Sequence, residues 1–207
     1  MNIHPTKTKE MLICFAKNPP IIPHICINGT PVDRVDNCKL LGVILNNKLT
    51  WGEHVDMLIK KANSKLYFLT QLRRTKIDSK EIVKVFCAIV RPVLEYACQL
   101  WHGGLTEAQC QALESIQIRA LRIAYPALTY DEALAEAQLK TLQDRRSELC
   151  KRLFISAQDP SHKLFPLLPP PKDTAYDQRK CSNFALPKWC TKRYKNSFIP
   201  YCLFNFN

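Results

Sequence analysis

The spacing of apolar residues divides the chain into an N-terminal part with strand-like runs and a longer part with helical periodicity. Residues 10–46 alternate short apolar runs with turn signals, as strands do. Asn28-Gly29 separates two such runs and predicts a two-residue hairpin turn, because both residue types tolerate positive φ. We therefore expect a small antiparallel sheet, with strands near residues 11–15, 25–27 and 40–45.

From residue 51 the apolar positions recur every three or four residues, which predicts an amphipathic helix. A second predicted helix opens with a capping box at Asp78, is apolar nearly all round, and is kinked or divided by Pro92. Three more helices are predicted to open at Thr106, Thr129 and Thr141, the last of them running to about residue 157. The apolar stripe of the first helix consists of Trp51, Val55, Leu58, Ala62, Leu66, Leu69 and Leu72.

The chain changes character after residue 157. Seven of the 14 prolines lie between Pro160 and Pro200, interleaved with aromatic and basic residues, which predicts a linker and an extended tail. The predicted fold class is therefore α+β and mostly α. It has a small N-terminal antiparallel β-hairpin unit (1–50), a bundle of about five helices (51–157) and an extended Pro-rich tail (158–207).

The charge balance indicates a polyanionic partner. The chain has 30 Lys+Arg against 18 Asp+Glu, a formal net charge of +12. Neutralising phosphates releases counterions, so nucleic acid is the leading candidate, ahead of an anionic membrane surface. A solvated basic surface with no partner stays open as the alternative. No stretch approaches the roughly 20 apolar residues that a membrane span needs, so no membrane partner is expected.

The cysteine pattern favours a reducing compartment. The chain has ten cysteines, but its N-terminus lacks the basic, apolar and small-residue regions of a secretory leader, which predicts an intracellular protein. No C-x2-C or C-x4-C pair is present, so we expect most cysteines to be buried as small apolar residues. Cys98, His102 and Cys110 come nearest to a ligand cluster, yet a fourth ligand is missing, and no metal site is predicted.

Catalytic motifs are missing from the sequence. It has no Asp-Asp pair of the kind that holds two metal ions for nucleotidyl transfer. It also lacks a P-loop, a dinucleotide-binding glycine motif, a nucleophile elbow and an H-E-x-x-H helix. We therefore predict no catalytic residues, no cofactor and no small-molecule substrate.

Seven segments, in order along the chain, carry a family resemblance. They include NIHPTKTKEM at 2–11, KLLGV at 39–43 and LTWGEHV at 49–55, followed by segments at 91–101, 116–122, 142–146 and 191–200. Together they resemble the reverse transcriptase of non-LTR (LINE-like, CR1/jockey/RTE-type) retrotransposons, from just after its active-site strand pair onward. The resemblance implies the end of a palm, a primer-grip turn, thumb-like helices and a tail. It also implies that the carboxylates that bind Mg²⁺ lie upstream of residue 1.

The resemblance implies roles for individual residues. Lys7 corresponds to a lysine near the phosphates of the incoming nucleotide, and Leu41-Gly42 to the primer-grip turn, where glycine allows close approach to the primer. The basic residues of the helices would contact the duplex backbone, which positions it without reading sequence. In the tail, an aromatic and several cations would stack and hold unpaired bases. The alternative is that Trp189, Tyr194 and Phe198 fold back to cover apolar surface on the helical core. The predicted helical contacts are Lys60, Lys61, Lys65, Arg73, Arg74, Arg119, Arg122, Arg145 and Arg146, and those of the tail are Trp189, Lys192, Arg193 and Lys195.

The sequence thus predicts a truncated, reverse-transcriptase-like fragment that is not an enzyme on its own. Its expected residual role is binding the backbone of RNA or DNA, as duplex or template, without sequence preference. The alternative is a helical protein-interaction module or a non-functional retrotransposon relic. For the interaction module, a protein partner would cover apolar surface on the small sheet, at Ile13, Phe15, Ile27 and Val43. Completing a polymerase in trans also stays open.

Overall fold

The computed structural model describes residues 3–18, 20–171, 184–189 and 191–206. The predicted fold class, α+β and mostly α with short strands in small sheets, is confirmed. The chain divides by its contacts into two units, Met1–Asp56 and Met57–Asn207. The palm, thumb and tail identities of residues 1–50, 51–157 and 158–207 stay predictions.

The first unit contains three pairs of short strands. Asn28 and Gly29 have φ of 52° and 77°, so the predicted hairpin turn is confirmed. A second two-residue turn, Leu41-Gly42, joins another antiparallel pair. The strand expected at residues 11–15 is wrong, because that segment pairs with no strand in the described chain. The pairs are β2 (Cys26–Ile27) with β3 (Thr30–Pro31) and β5 (Asn37–Leu40) with β6 (Val43–Asn46), both antiparallel, and β1 (Lys9–Glu10) with β4 (Asp33–Arg34), which is parallel.

A carboxylate organises the N-terminal half of this unit. Glu10 accepts hydrogen bonds from the Ile25 N–H at 3.1 Å and from Arg34 Nε at 2.8 Å. His24 Nδ1 lies 3.0 Å from the same carboxylate. The Ile25 N–H bond, followed by the Arg34 guanidinium, holds the pKa of Glu10 below its usual value. Polar contacts therefore hold together a segment that has little regular secondary structure.

The first helix, α1 (Gly52–Arg74), follows the predicted apolar stripe. Five of the seven stripe residues are buried, whereas Trp51 and Leu72 are half-buried at the two ends of the helix. In the first unit the ring of His54 is also buried, and its Nδ1 accepts a 3.3 Å hydrogen bond from the Ile44 N–H. The buried stripe residues are Val55, Leu58, Ala62, Leu66 and Leu69.

Pro92 divides the second predicted helix, as expected. The chain runs from α2 (Ser79–Val85) through a π-helical turn at Phe86–Val90 into α3 (Arg91–Glu95). The Arg91 N–H bonds the Phe86 carbonyl five residues back, which widens the turn just before the proline. Ala97 then takes a left-handed φ of 50° and turns the chain into α4 (Cys98–Trp101).

The remaining predicted helices are α5 (Glu107–Ala124), α6 (Tyr130–Glu136) and α7 (Leu142–Ala157). Thr106 and Thr129 form the predicted capping boxes, and Thr141 caps α7. Asp78 caps α2 through the Lys80 N–H, but Glu81 does not complete a box, since it pairs with Lys84 at 2.6 Å. Short 3-10 turns occur at Pro5–Lys7, His102–Gly104 and Phe165–Leu167.

Polar side chains join α5, α6 and α7 inside the second unit. The buried Gln117 amide donates to the Tyr130 hydroxyl at 3.1 Å and to the Lys140 carbonyl at 2.9 Å. Glu114 accepts the Leu142 N–H at 3.0 Å and the Tyr130 hydroxyl. Burial and the bond to Glu114 raise the pKa of Tyr130. Each buried polar group in this network has a partner, which is the condition for such a network to stabilise a core.

The extended tail is wrong for residues 191–206. They form α8 (Lys192–Lys195) and α9 (Phe198–Phe206), and α9 packs on α7 through Cys202 and Leu203. Pro200 lies in the first turn of α9, where its missing N–H removes no helical hydrogen bond. The apolar residues of α9 therefore cover the core instead of reaching into solvent. Residues 172–183, 190 and 207, also assigned to the tail, lie outside the described residues.

Candidate nucleic-acid interface

The solvent face of α1 carries most of the predicted phosphate contacts. Lys60 and Lys61 are exposed and Lys65 is half-buried, while Arg73 and Arg74 are exposed in the last turn. Between Asp56 and Asp78 the chain has no acidic residue to neutralise them. The basic residues of this segment are Lys60, Lys61, Lys65, Arg73, Arg74 and Lys76.

The structure brings α5 to the same surface. Arg119 Nη2 donates a 2.6 Å hydrogen bond to the Asn63 Oδ1 of α1, and its Nε reaches the Ser115 carbonyl at 3.3 Å. Both bonds are neutral, so the guanidinium keeps its charge at the surface. Arg122 is exposed one turn further along α5. Four cations of α1 and two of α5 are thus exposed on these helices.

Arg145 and Arg146, both predicted to contact phosphates, differ in how far they are buried. Arg145 is half-buried and its Nε lies 3.0 Å from Glu95, which also lies 3.6 Å from Arg91. That carboxylate already balances part of the positive charge. Arg145 is therefore a weaker candidate for a phosphate contact than the exposed cations of α1.

Arg146 is the clearest correction, because its side chain is fully buried. Its guanidinium lies over the Trp101 ring, 5.7 Å from the centroid, with the Cys110 thiol as a polar neighbour. Burial lowers the pKa of Arg146, whereas Cys110, Glu114 and Cys98 act in the opposite direction. A phosphate cannot reach this group, so the predicted contact at Arg146 is wrong.

The two sites predicted in the first unit are exposed. Lys7 lies at the end of the 3-10 turn Pro5–Lys7. The Leu41-Gly42 turn has φ of 46° and 87°, and the Leu41 side chain is 84% exposed. Left-handed backbone is costly for leucine, so this turn holds local strain. The roles of these residues at a nucleotide or a primer stay predictions.

The tail residues form a cation–π cluster of their own. Lys195 Nζ lies 4.8 Å from the centroid of the Trp189 ring and 5.1 Å from that of the Phe204 ring. The contact occupies one face of Trp189, the ring predicted to stack on a base, although 44% of this residue stays exposed. Lys192 and Arg193 of α8 are exposed beside it.

Sequence reasoning missed an aromatic pair on the basic face of α1. Tyr67 and Phe68 are 62% and 57% exposed, whereas the buried residues of the apolar stripe are almost fully covered. The signal was present for Tyr67, which falls on the opposite side of the helix from Leu58, Ala62 and Leu69, whereas Phe68 falls at the edge of that stripe.

The described residues offer no set of ligands for a metal ion. No group of three His, Cys, Asp or Glu side chains in them is arranged to bind one. His102 instead contacts the Tyr201 hydroxyl at 3.1 Å, and burial lowers the pKa of His102 to about 4. No helix in the described part of the chain is both long and apolar enough to span a bilayer.

Three proteins with named activities are similar to this chain. It is 26% identical over 125 residues to the probable RNA-directed DNA polymerase from transposon X-element of Drosophila melanogaster, matching 59% of this chain and 14% of that protein. It is 25% identical over 126 residues to the corresponding protein from transposon BS, again over 59% of this chain and 14% of the relative. With the polymerase from mobile element jockey of Drosophila funebris it shares 29% identity over 102 residues, 48% of this chain and 11% of that protein.

The chain therefore spans about one seventh of the length of the curated relatives it matches. No protein-family model matches it, and no solved structure does. All three relatives are RNA-directed DNA polymerases of mobile elements, and the matches cover about half of the chain. The resemblance of this chain to the reverse transcriptases of non-LTR retrotransposons is confirmed.

Proposed function

We propose that this chain is a reverse-transcriptase-like segment that binds the backbone of RNA or DNA without sequence preference. The observation that carries the proposal is the exposed basic surface of α1 and α5 in the second unit. Six basic residues and no acidic residue lie between Asp56 and Asp78, and Arg119 is hydrogen-bonded onto the same helix. Such a surface attracts phosphates through counterion release and positions a strand without reading its bases.

Nucleotidyl transfer is not part of the proposed role of this chain alone. The reaction needs carboxylates that hold two metal ions beside a primer end. The 207 residues have no Asp-Asp pair. Of the acidic residues in the helical region, Asp78 caps α2 and Glu114 joins a buried network. We assign the chain a role in binding nucleic acid. A polymerase segment that carries the carboxylates would supply the catalysis of nucleotidyl transfer.

The test is salt-dependent binding to an RNA–DNA duplex. The interface variant replaces Lys60, Lys61 and Arg74 by glutamine. The control replaces three exposed basic residues outside this surface, Lys151, Arg152 and Lys163, and removes the same charge. Each lost phosphate contact should weaken binding of all sequences similarly and flatten the salt slope by about one unit.

The outcome for the control decides how the result is interpreted. An equal loss in both variants would show that net charge, not this surface, drives binding. Absence of any salt-sensitive binding by the unaltered chain would overturn the proposal, while leaving the family resemblance in place. A loss that depends on the duplex sequence would contradict backbone recognition.

A protein-interaction role is the second candidate, and exposed apolar side chains in the first unit favour it. Phe15, Ile25 and Leu40 are 55%, 61% and 58% exposed, and Ile13 is 43% exposed. Val43, also expected at this surface, is buried instead. Patches of this kind mark contact surfaces when they are contiguous. Sedimentation of the purified chain as a single soluble monomer would count against this role.

A further inference from the structure

Two neighbouring aromatic side chains project from the middle of α1 into solvent. Tyr67 is 62% exposed and Phe68 is 57% exposed. Their ring centroids lie 6.2 Å apart and the rings are inclined by 68°, so one edge approaches the other face. Burying such rings is normally favourable. Exposed rings in mid-helix therefore call for an explanation other than packing.

The surroundings of the pair are basic. Tyr67 lies seven residues after Lys60 and seven before Arg74, which places both cations on its side of the helix, about 10 Å away along the axis. Lys61 stands in the same relation to Phe68. Arg119 is tied to Asn63, one turn before Tyr67. The rings thus lie between cations at both ends of the helix face.

We propose that Tyr67 and Phe68 stack on unpaired bases of a single-stranded nucleic acid whose phosphates are held by the surrounding cations. This inference rests on the proposed backbone binding and adds a specific ligand, a strand with exposed bases. Single-strand sites combine a basic track with aromatic rings, and stacking tolerates any sequence because every base has a π-face. The backbone of a duplex would contact the cations but would leave the rings without a stacking partner. An apolar protein partner would bind the rings but gain nothing from the cations around them.

The experiment compares two oligonucleotides of equal length, oligothymidylate and an abasic strand with the same phosphates. Binding is measured with the full chain and with the double variant Tyr67→Leu/Phe68→Leu, which keeps two large helix-compatible side chains. The matched control is Tyr96→Leu/Phe165→Leu, since these rings are also exposed, at 53% and 37%, but lie outside this face. Circular dichroism and thermal melting confirm that each variant keeps its helices.

The expected result is a preference of about tenfold or more for oligothymidylate over the abasic strand, in line with stacking of one or two bases. The Tyr67/Phe68 variant should lose that preference, keep its affinity for the abasic strand, and keep its salt slope. The control variant should behave like the unaltered chain. Loss of the preference without a change in salt slope is the signature of stacking.

Other outcomes overturn the inference in distinguishable ways. If the unaltered chain binds both strands equally and in a salt-dependent way, stacking fails and backbone binding survives. If it binds neither strand nor the RNA–DNA duplex, both proposals fail. If the double variant keeps the preference but abolishes self-association of the chain, the rings form a protein contact instead.

Discussion

The two units of this chain are stabilised in different ways. In Met1–Asp56 the longest strands have four residues, and Glu10 and two tight turns organise much of the chain. In Met57–Asn207 large side chains such as Phe86, Trp101 and Phe154 are fully buried among helices. The first unit depends on local polar geometry and the second on packing. The same kind of substitution should therefore have very different effects in the two units.

The largest expected difference comes from removing one phenyl ring in each unit. Phe154 is 0% exposed and packs with Cys150, Cys202 and Leu203, so Phe154→Ala should lower the free energy of unfolding by about 3–5 kcal/mol. Phe15 is 55% exposed, and Phe15→Ala should change it by no more than about 0.5 kcal/mol. Chemical denaturation of both variants measures the difference. Similar losses would show that Phe15 belongs to a core in its own unit.

The two units should lose stability in different pH ranges as the solution is acidified. Burial, and then Arg146, lower the pKa of His102 from 6.5 to about 4, so the second unit favours the neutral ring. The unfolded chain then binds the proton more tightly, and stability is full above pH 6.5 and falls as the pH drops toward 4. The full loss is roughly 3 kcal/mol. Urea titrations from pH 8 to pH 4 measure it.

The first unit should respond in a more acidic window. The lowered pKa of Glu10 means that its contribution is present above pH 4.5 and is lost only below that value. His102→Gln in the second unit should remove most of the slope between pH 6.5 and 4 and leave the Glu10 window unchanged. A slope that persists in this variant would assign the effect to other groups.

Local signals in the sequence predicted much of this architecture. The Asn28-Gly29 turn, the capping boxes at Thr106 and Thr129, and the division at Pro92 follow from residues within a few positions of one another. The candidate site was less predictable, because burial depends on partners from distant elements. Arg146 has the pattern of a surface cation, yet the Trp101 ring of another helix covers it. The helix α9 was not predicted, but the alternative that Phe198 folds back onto the helical core is confirmed.

Substituting one glycine in each unit, Gly103 and Gly29, gives a further comparison, and Gly103 tests how the C-terminal helix is held. A Cβ added at Gly103 would lie 2.5 Å from the Asn196 carbonyl oxygen and 3.1 Å from the Tyr201 ring. Gly103→Ala should therefore push α9 away from His102 and destabilise the second unit by about 1–3 kcal/mol. Exposure of the imidazole should also move the pKa of His102 back toward 6.5. NMR titration of that imidazole measures the shift.

Gly29 provides the matched glycine in the first unit. A Cβ there meets nothing within 4 Å, but the backbone has φ of +77°. Gly29→Ala should cost about 1–2 kcal/mol through backbone strain alone and should not alter the titration of His102. If both variants leave His102 unchanged, the contact at Gly103 does not hold α9 in place.

The smallest expected effect concerns the two hairpin turns of the first unit, which share a backbone conformation but not a sequence. Asn28-Gly29 uses residues suited to positive φ, whereas Leu41 adopts φ of 46° with a bulky side chain. Leu41→Asn should stabilise the β5–β6 hairpin by about 1 kcal/mol, measured by hydrogen exchange of its amides. Leu40→Asn, one residue earlier in the regular strand, should be neutral or slightly destabilising.

The result at Leu41 also bears on function. A destabilised Leu41→Asn hairpin would mean that side-chain contacts of Leu41 outweigh its backbone strain. A stabilised hairpin that binds nucleic acid less tightly would mean instead that the strained, 84% exposed leucine serves the contact with the strand. In that case the first unit, despite its small core, would itself contact nucleic acid through an exposed turn.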